Sequence, residues 1–204
     1  TGIYFSPTST GNVLDNVIVQ YAGETYRLSH YDPAVSGPST YYQTFSSLYL
    51  DLASVSLSNS AIAHGHGVGI NVYQGTATIT GNGISDLQSG SQVIATYTGA
   101  YRGYGVYSYV ASVNVTGNVI ADNGYIGVYA VGGSSPTLAN NAFTNNAGYA
   151  AYLGTSPSAS SGNNTASGNG INGIGIVTTV ATNTTWPYSN LPYVINGVTV
   201  NQST

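Results

Sequence analysis

Short apolar strands separated by polar corners recur along this chain at a nearly constant interval. A six-residue phrase, apolar at both ends with Asn or Gly between, occurs four times and again in a weaker fifth copy. The copies are LSNSAI at 57–62, ITGNGI at 79–84, VTGNVI at 115–120, LANNAF at 138–143 and SGNNTA at 161–166. Their first residues are 22, 36, 23 and 23 apart (57 to 79, 79 to 115, 115 to 138, 138 to 161). A period in the low twenties built from strands and sharp corners is typical of a β-solenoid.

A second phrase, a short strand led by a small residue, keeps the same step. Its equivalent positions, 36, 22, 23 and 23 residues apart, are Ile70, Val106, Val128, Ala151 and Ile174. Because two phrases share one period and one long interval, we predict at least two strands in every turn. A β-sandwich is the alternative, but it does not require strands in a shared register of 22–23 residues.

The apolar ends of the first phrase predict two internal rows of stacked side chains. The rows are Leu57, Ile79, Val115 and Leu138, and Ile62, Ile84, Ile120 and Phe143. Each buried side chain would contribute roughly 1.5–3 kcal/mol. Asn82, Asn118 and Asn141 would lie at the corner, where Asn tolerates left-handed backbone and can hydrogen-bond along the stack.

Three segments break the period and are predicted to be loops: 22–45, 88–102 and 178–193. The first two leave after the six-residue phrase and before the next glycine-led strand, hence at the same corner. Residues 14–18 match the phrase shortened by one residue, so the first turn starts at Gly2. We predict one all-β domain over 1–204, a solenoid of about seven turns that is roughly 30 Å long at ~4.8 Å per turn.

These Asn/Gly phrases, with the opening segment at 2–21, resemble the right-handed parallel β-helix repeats of secreted and cell-surface proteins. The resemblance covers nearly all of the chain outside the three predicted loops. It implies a right-handed parallel β-helix. Relatives of this fold include pectate lyases, polygalacturonases, phage tailspikes and adhesins, so the resemblance specifies the fold and leaves the function open.

The composition narrows the classes of partner. Charged residues make up 4% of the chain, there is no Lys, and the formal net charge is −4. Nucleic acid is a poor partner because its binding requires several Lys or Arg on one face. Membrane insertion is not expected, since no apolar run approaches the ~20 residues of a spanning helix. A polar, nearly uncharged surface and the absence of Cys and Met suit a secreted protein, extracellular or at the cell surface.

Candidate chemistry lies two positions after each phrase, at His64, Asp86, Asp122 and Asn145, with Gln20 in the first turn. Stacking would place Asp86 beside Asp122 and beside His64. Two close carboxylates raise one pKa and can form an acid/base pair or a cation site. The simpler hypothesis, which we favour, is that these side chains hydrogen-bond at the corner. An Arg102–Asp pair is a further structural explanation.

Aromatic and basic residues gather in the predicted loops and predict a contact surface for a neighbouring subunit or for sugar rings. They are Tyr26, Arg27, Tyr31, Tyr41, Tyr42, Tyr97, Tyr101 and Arg102, with Trp186 in the third loop. The alternative is that these loops only pack on one another along the flank of the solenoid.

Metal and cofactor sites are not predicted. His64 and His66 share a strand face, but no third ligand accompanies them. Glycosylation sequons begin at Asn114, Asn163, Asn183 and Asn201. Asn183, in a predicted loop, is the strongest of these candidates.

The two ends present strand edges that we predict to be uncapped. Such edges pair readily with another chain. The predicted end-to-end contacts are Gly2, Ile3, Tyr4 and Phe5 at one end and Val194, Ile195, Val198 and Val200 at the other. Uncapped ends indicate either a segment of a longer chain or ends that are covered by other copies. Head-to-tail contacts between copies are open and generate a fibre.

Together these patterns favour a non-enzymatic extracellular structural protein whose partners are other copies of itself, assembled into a filament or surface array. The alternative is a polysaccharide-binding or polysaccharide-degrading β-helix, which would use the tyrosine-rich loops and the Asp residues.

Overall fold

The computed structural model describes residues 2–7, 9–23, 25–29, 41–94, 97–134, 136–156, 158, 160–180 and 185–201. The side chains of 25–29, 41–45, 91–94 and 97–101 lie outside that description. In chain order the strands are β1 (Ile3–Phe5), β2 (Asn12–Asp15), β3 (Ile18–Gln20), β4 (Thr25–Ser29), β5 (Tyr41–Asp51), β6 (Ser54–Ser58), β7 (Ala61–Ala63), β8 (Val68–Tyr73), β9 (Thr76–Thr80), β10 (Gly83–Ser85), β11 (Gly90–Ile94), β12 (Tyr97–Tyr101), β13 (Val106–Tyr109), β14 (Ser112–Thr116), β15 (Val119–Ala121), β16 (Val128–Val131), β17 (Thr137–Ala139), β18 (Ala142–Thr144), β19 (Tyr149–Leu153), β20 (Thr165–Ser167), β21 (Ile171–Val180) and β22 (Tyr193–Val200).

Three parallel sheets form the sides of the solenoid. Sheet A runs β1-β5-β8-β13-β16-β19-β21-β22, with β4 beside β5. Sheet B runs β2-β6-β9-β14-β17, and sheet C runs β3-β7-β10-β15-β18-β20. The chain visits A, B and C in that order, as in β8, β9 and β10. Each such turn therefore contributes three strands, which agrees with the prediction of at least two.

The register of the sheets places the predicted apolar rows in vertical files. Leu57 pairs with Ile79, Ile79 with Val115, and Val115 with Leu138 in sheet B. In sheet C the corresponding file joins Ile62, Ile84, Ile120 and Phe143. The third file, in sheet A, contains Ile70, Val106, Val128, Ala151 and Ile174. All of these side chains are at most 3% exposed, so the predicted core is confirmed.

The left-handed corner residues differ from those predicted. The backbone is left-handed at Gly81, Gly117 and Asn140, with φ of 68°, 67° and 57°. Each of these precedes the Asn that was expected to take this conformation. Gly tolerates a positive φ at little cost, and Asn tolerates it better than most residues. The Asn that follows is consequently free to direct its side chain into the core.

Buried asparagines form a hydrogen-bonded ladder under the corner between sheets B and C. The Oδ1 atom of Asn118 accepts from the backbone N–H and the Nδ2 of Asn82, at 2.9 and 3.0 Å. Asn141 accepts in the same way from Asn118, and Asn164 from Asn141. These side chains are 1–2% exposed, and each bond satisfies a polar group that would otherwise be costly to bury. The predicted hydrogen bonding between stacked Asn side chains is confirmed.

A second asparagine ladder, which was not predicted, lies under the corner between sheets C and A. Asn123 Nδ2 donates to Asn146 Oδ1 at 2.8 Å, and Asn146 Nδ2 donates to Asn169 Oδ1 at 2.8 Å. The backbone N–H of Leu87 donates to Asn123 Oδ1 at 3.3 Å. Sequence could have revealed the ladder, because positions 123, 146 and 169 follow the period of 23.

The predicted loops contain more β-structure than expected. Strand β4 pairs antiparallel with the start of β5, and β11 pairs antiparallel with β12. The third segment begins inside β21, which extends to Val180. The prediction of loops rests on the absence of the solenoid period from these segments. An antiparallel hairpin pairs with itself and needs no such period. Both hairpins leave the solenoid between sheets C and A, as predicted.

The first turn is one residue longer than the sequence suggested. Leu14 pairs with Leu57 and Val19 pairs with Ile62, so the phrase has its full six residues at 14–19. Ile18, the final apolar residue of the phrase in the predicted alignment, is 72% exposed. The corner position of this turn is therefore Tyr21, and the prediction of Gln20 was wrong.

Candidate functional site

The predicted polar file at the corner between sheets C and A is present, with Tyr21 at its start. We call Tyr21, His64, Asp86, Asp122 and Asn145 the corner file. All five have left-handed backbone, with φ between 53° and 55°. His64 Nδ1 lies 2.6 Å from Asp86 Oδ2, and the ring of Tyr21 stacks on His64 at 5.3 Å. Asn145 Nδ2 donates to Asp122 Oδ1 at 3.1 Å.

The carboxylates of the corner file are engaged by polar neighbours. Asp86 also accepts from the side-chain amide of Gln88. The side chains of His64 and Asp86 remain 42% and 41% exposed, so solvent screens their interaction. Hydrogen bonds of this kind order a strained corner. The catalytic roles considered for His64, Asp86 and Asp122 stay predictions.

Arg102 contacts an aromatic ring, and no carboxylate of the described residues pairs with it. Its guanidinium carbon lies 4.2 Å from the centre of the Tyr125 ring, a cation–π contact. Among the described residues the one ion pair is His64–Asp86, so the predicted Arg102–Asp pair was wrong. The remaining predicted loop contacts have side chains outside the described part of the chain: Tyr26, Arg27, Tyr31, Tyr41, Tyr42, Tyr97 and Tyr101.

A row of stacked tyrosines on the outer face of sheet A was not predicted. Tyr107 pairs in register with Tyr129, and Tyr129 with Tyr152. The ring centroids are 5.7 and 5.4 Å apart, with interplanar angles of 24° for both pairs. The signal was present in the glycine-led phrase, whose third residue is Tyr in three consecutive copies. We call these three residues the tyrosine row.

Further tyrosines flank the row and reduce its contact with water. The ring of Tyr104 lies 5.0 Å from that of Tyr129 and 5.3 Å from that of Tyr125. Tyr149 meets Tyr152 edge to face at 5.5 Å. Burial raises the pKa values of Tyr104, Tyr107 and Tyr152 above the ordinary range of tyrosine.

The stacking determines what the tyrosine row can bind. Ring faces within the row contact each other, and a side chain placed at Gly175 would meet Tyr152 at 2.6 Å, so Tyr152 also lies against the next turn. Ring edges and hydroxyl groups are the parts directed away from the sheet. The surface therefore suits hydrogen bonding along the solenoid better than stacking on a flat sugar ring.

Polar side chains are buried near the first turns of the same face. Asp51 and Asn71 are 6% and 7% exposed, and Tyr49 beside them is 6% exposed. Tyr4 donates its hydroxyl to Asp51 Oδ2 at 3.0 Å. Burial is the main cause that raises the pKa of Tyr4 to about 12, with the hydrogen bond to Asp51 and its charge contributing. Within the described part of the chain, Asp51 Oδ1 and Asn71 Oδ1 are buried and have no hydrogen-bond partner.

The predicted end contacts lie on the outermost strands of sheet A. In the described part of the chain β1 pairs with β5 alone within this sheet, and β22 pairs with β21 alone. Gly2 packs closely, since an added Cβ would lie 2.4 Å from the Ser47 carbonyl oxygen. The exposed fractions of Ile3, Tyr4, Ile195 and Val200 are 36%, 37%, 55% and 74%. Phe5 and Val198 are partly buried against the core, and Val194 is partly buried.

Trp186 lies against the core near β22. Its ring meets Tyr193 edge to face at 5.5 Å, and its Nε1 donates to Ser156 Oγ at 3.3 Å. These contacts hold the segment before β22 onto the solenoid. The contact role predicted for Trp186 would have to use the part of its ring that stays exposed.

The candidate glycosylation sites differ in their surroundings. Asn114 is exposed on β14 and accepts a hydrogen bond from Thr116 Oγ1 at 2.7 Å. Asn163 is exposed at a left-handed corner, and Asn201 is exposed just after β22. Asn183 lies outside the described residues.

The described ranges contain neither a metal-holding cluster nor a membrane-spanning helix. No three His, Cys, Asp or Glu side chains there gather closely enough to hold a metal ion. In the same ranges no helix has the length and apolar character needed to cross a bilayer.

Comparison with known proteins gives one match. The family model described as "Right handed beta helix region" matches residues 42–186, well over half of the chain. No curated protein and no solved structure gives a significant match. The matched residues include the corner file from His64 onward and the whole tyrosine row.

Proposed function

This chain belongs to the right-handed β-helix family, and on that premise we propose that it is a non-enzymatic extracellular structural protein whose copies assemble end to end. The assembly would be a filament or a cell-surface array, because head-to-tail contacts do not close on themselves. A nearly uncharged surface without Cys or Met supports a role outside the cell.

The observation that carries the proposal is the exposure of core residues at the two rims of the solenoid. Leu14 and Val19 continue the internal files of sheets B and C, and Phe5 is in register with Leu50 and Val72 in sheet A. All three are only partly buried. Their register partners one turn further in, Leu50, Leu57 and Ile62, are 1%, 3% and 0% exposed. Tyr193 and Val198 are likewise partly buried at the other rim.

Strand addition would cover both rims at once. If β22 of one copy paired with β1 of the next, sheet A would continue at its usual spacing of ~4.8 Å. The backbone would contribute hydrogen bonds, and the exposed core residues would gain a partner layer. The arrangement of charge does not oppose this contact, since charged residues are 4% of the chain.

The test is the assembly state of the purified chain, measured by light scattering over a concentration series and by negative-stain electron microscopy. The backbone N–H of Asn201 donates to the Val180 carbonyl, so the N–H of Val200 points to the opposite, outer edge of β22. Val200→Pro removes that donor, and Val200→Thr keeps it. We expect the unsubstituted chain and Val200→Thr to form fibres, because both keep the N–H donor. We expect Val200→Pro to stay monomeric, because it lacks that donor. Discrete monomers of the original chain at high concentration would overturn the proposal.

The tyrosine row favours a second function, the binding of a polysaccharide along sheet A. Its hydroxyl groups repeat once per turn, at the spacing of the strands, and present successive hydrogen-bonding groups to an extended chain. A glycan array tests this proposal. We expect Tyr129→Phe, which keeps the stacking ring, to weaken binding. Exposed Tyr188→Phe should leave it unchanged.

A polysaccharide-degrading form of this second function would depend on the corner file. Substituting Asp86 and Asp122 by Asn and measuring polysaccharide cleavage tests it. Cleavage by the original chain that both substitutions abolish would establish an enzyme and contradict the structural role.

A further inference from the structure

A pair of tyrosines stacks on the outer face of sheet A, with the hairpin β11–β12 between them in the chain. Tyr73 on β8 and Tyr109 on β13 are partners in register. Val72 and Ser108, which precede them, point into the core at 0% and 1% exposure. Because side chains alternate along a strand, both tyrosines point outward. Their ring centroids are 5.5 Å apart, and the rings are 7° from parallel.

The surroundings of this pair hold the rings together and leave one of them open to water. In an offset stack of this kind the edge of one ring lies over the face of the other. A Cβ atom added at Gly132, in the next turn, would lie 2.6 Å from Tyr109 Cε2 and 3.1 Å from its Cζ. The ring of Tyr109 therefore lies between that of Tyr73 and the backbone of Gly132. Tyr109 is nevertheless 36% exposed, so an oxidant in solution can reach its edge.

The other tyrosine stacks of sheet A are less open to oxidation. Tyr49, in the stack nearest the first turn, is 6% exposed. In the tyrosine row, burial raises the pKa values of Tyr107 and Tyr152, which opposes the loss of their hydroxyl protons. A tyrosine that gives up an electron must also release that proton to become a neutral radical. Tyr73 and Tyr109 are consequently the stacked pair best placed for this chemistry.

From these observations we propose that Tyr73 and Tyr109 are a site of oxidative cross-linking, at which a haem peroxidase with hydrogen peroxide joins the two rings as dityrosine. Each ring gives one electron to the oxidised peroxidase and its hydroxyl proton to water. The two radicals then form a carbon–carbon bond between one Cε atom of each ring. Each of these carbons loses its proton, and each phenolic oxygen regains one. Hydrogen peroxide takes up the two electrons and two protons and becomes two molecules of water.

The cross-link would be a covalent staple across the base of the hairpin β11–β12. The two tyrosines are 36 residues apart (109 − 73), and β9, β10, β11 and β12 lie between them. Closing this segment restricts the unfolded chain more than the folded one, because the fold already holds the rings in contact. A chain without Cys has no disulfide to do the same. This stabilisation suits an extracellular protein and does not depend on end-to-end assembly.

Trypsin provides a direct assay, because it cleaves after Lys and Arg and the chain has no Lys and two Arg residues. Cleavage after Arg102 separates Tyr73 from Tyr109. The dilute full chain is treated with a haem peroxidase and hydrogen peroxide, unfolded in urea, digested, and run on a denaturing gel. We expect fragments 28–102 and 103–204 to stay joined, with the link between Tyr73 and Tyr109 identified by tandem mass spectrometry. The oxidised chain should also have a higher thermal unfolding midpoint.

Phenylalanine variants make the assignment specific, since phenylalanine keeps the ring and has no hydroxyl to oxidise. Tyr109→Phe and Tyr73→Phe should each abolish the joined fragments and the shift in midpoint. Tyr129→Phe should keep both, because the whole tyrosine row lies within fragment 103–204. Exposed Tyr188→Phe should also keep both.

Three results would overturn the proposal. The first is complete separation of the two fragments after oxidation of the original chain. The second is joined fragments that persist in Tyr109→Phe. The third is a set of cross-links that form between chains alone, seen as bands heavier than one chain.

Discussion

Gly103 and Gly83 differ in the space available for a side chain, so we expect their substitution to have different effects on stability. A Cβ atom added at Gly103 would lie 1.8 Å from the Leu87 carbonyl oxygen and 2.9 Å from the Gly124 nitrogen. A Cβ atom at Gly83 would have no atom within 4 Å. The residues in register with Gly83, Ala61 and Val119, already carry side chains.

We expect Gly103→Ala to lower the free energy of unfolding by about 3 kcal/mol or more, because the obstructing atoms belong to the backbone and cannot turn away. Gly83→Ala should leave it unchanged or raise it by about 0.4–1 kcal/mol, through the reduced freedom of the unfolded chain. Urea unfolding of both variants measures the difference. Similar stabilities would contradict the close approach at Gly103.

At the scale of elements, the asparagine ladders tie successive turns together beneath the corners. Asn141 accepts from the backbone N–H and Nδ2 of Asn118, and it donates to the Val115 carbonyl at 2.8 Å. Truncating this side chain would leave those groups buried without partners. An unpaired buried polar group costs about 1–3 kcal/mol.

Asn141→Ala is therefore expected to lower the free energy of unfolding by about 3–5 kcal/mol. Asn114→Ala is the control, because Asn114 is exposed on β14 and its loss should change stability by about 0.5 kcal/mol or less. Chemical denaturation of the two variants provides the measurement. A small effect at Asn141 would show that water replaces the ladder.

The short strand β15 allows a test of the internal files with two adjacent residues. Ile120 is 0% exposed and Val119 is 54% exposed. We expect Ile120→Ala to cost about 2–5 kcal/mol, from lost burial and the cavity left behind, and Val119→Ala to cost about 0.5 kcal/mol or less. Thermal and urea unfolding of the pair check this. Equal losses of stability in the two variants would contradict the assignment of Ile120 to the buried face of β15 and Val119 to the exposed face.

At the scale of the whole molecule, stability rests on packing and hydrogen bonds and little on charge. Charged residues are 4% of the chain. Asp15, whose pKa is lowered by hydrogen bonds from Ser58 and Asn59, is an exception at the surface. Salt should therefore have little effect on the fold. The tyrosines are the most numerous ionisable residues, 19 in all, so their ionisation can change the charge of the chain more than that of any other residue type.

High pH should destabilise the protein through its buried tyrosines. Burial raises the pKa values of Tyr49, Tyr104 and Tyr107, and that of Tyr4 reaches about 12. An unfolded chain loses these protons near pH 10, the ordinary pKa of tyrosine. A folded pKa above the unfolded one gives stability that is complete below about pH 10 and is lost as the pH rises through the folded pKa.

Urea unfolding between about pH 9 and about pH 12 measures this loss. Tyr49→Phe should flatten the profile, because it removes a hydroxyl that is buried in the fold. Tyr188→Phe is the matched control, since Tyr188 is 83% exposed, and it should keep the original profile. A stability that does not change over this range would contradict the assigned burial of the tyrosines.

Sequence could predict the files of the core because a solenoid repeats its packing from turn to turn. Leu57, Ile79 and Val115 stack in register, so one spacing in the sequence becomes one vertical row. The same rule placed His64 beside Asp86. It failed at Gln20, because the first phrase was aligned one residue short, and a shift of one residue moves every side chain to the opposite face.

Repetition along the chain therefore determined the parallel β-helix, its internal rows and its polar corner file, because each depends on spacing between consecutive turns. Tertiary structure alone decided that each turn has three sides, that Arg102 lies over Tyr125, and that the predicted loops contain hairpins. It also decided that Asp51 and Asn71 are buried on an outward face. Burial on that face depends on what lies over the sheet, and no period in the sequence encodes that.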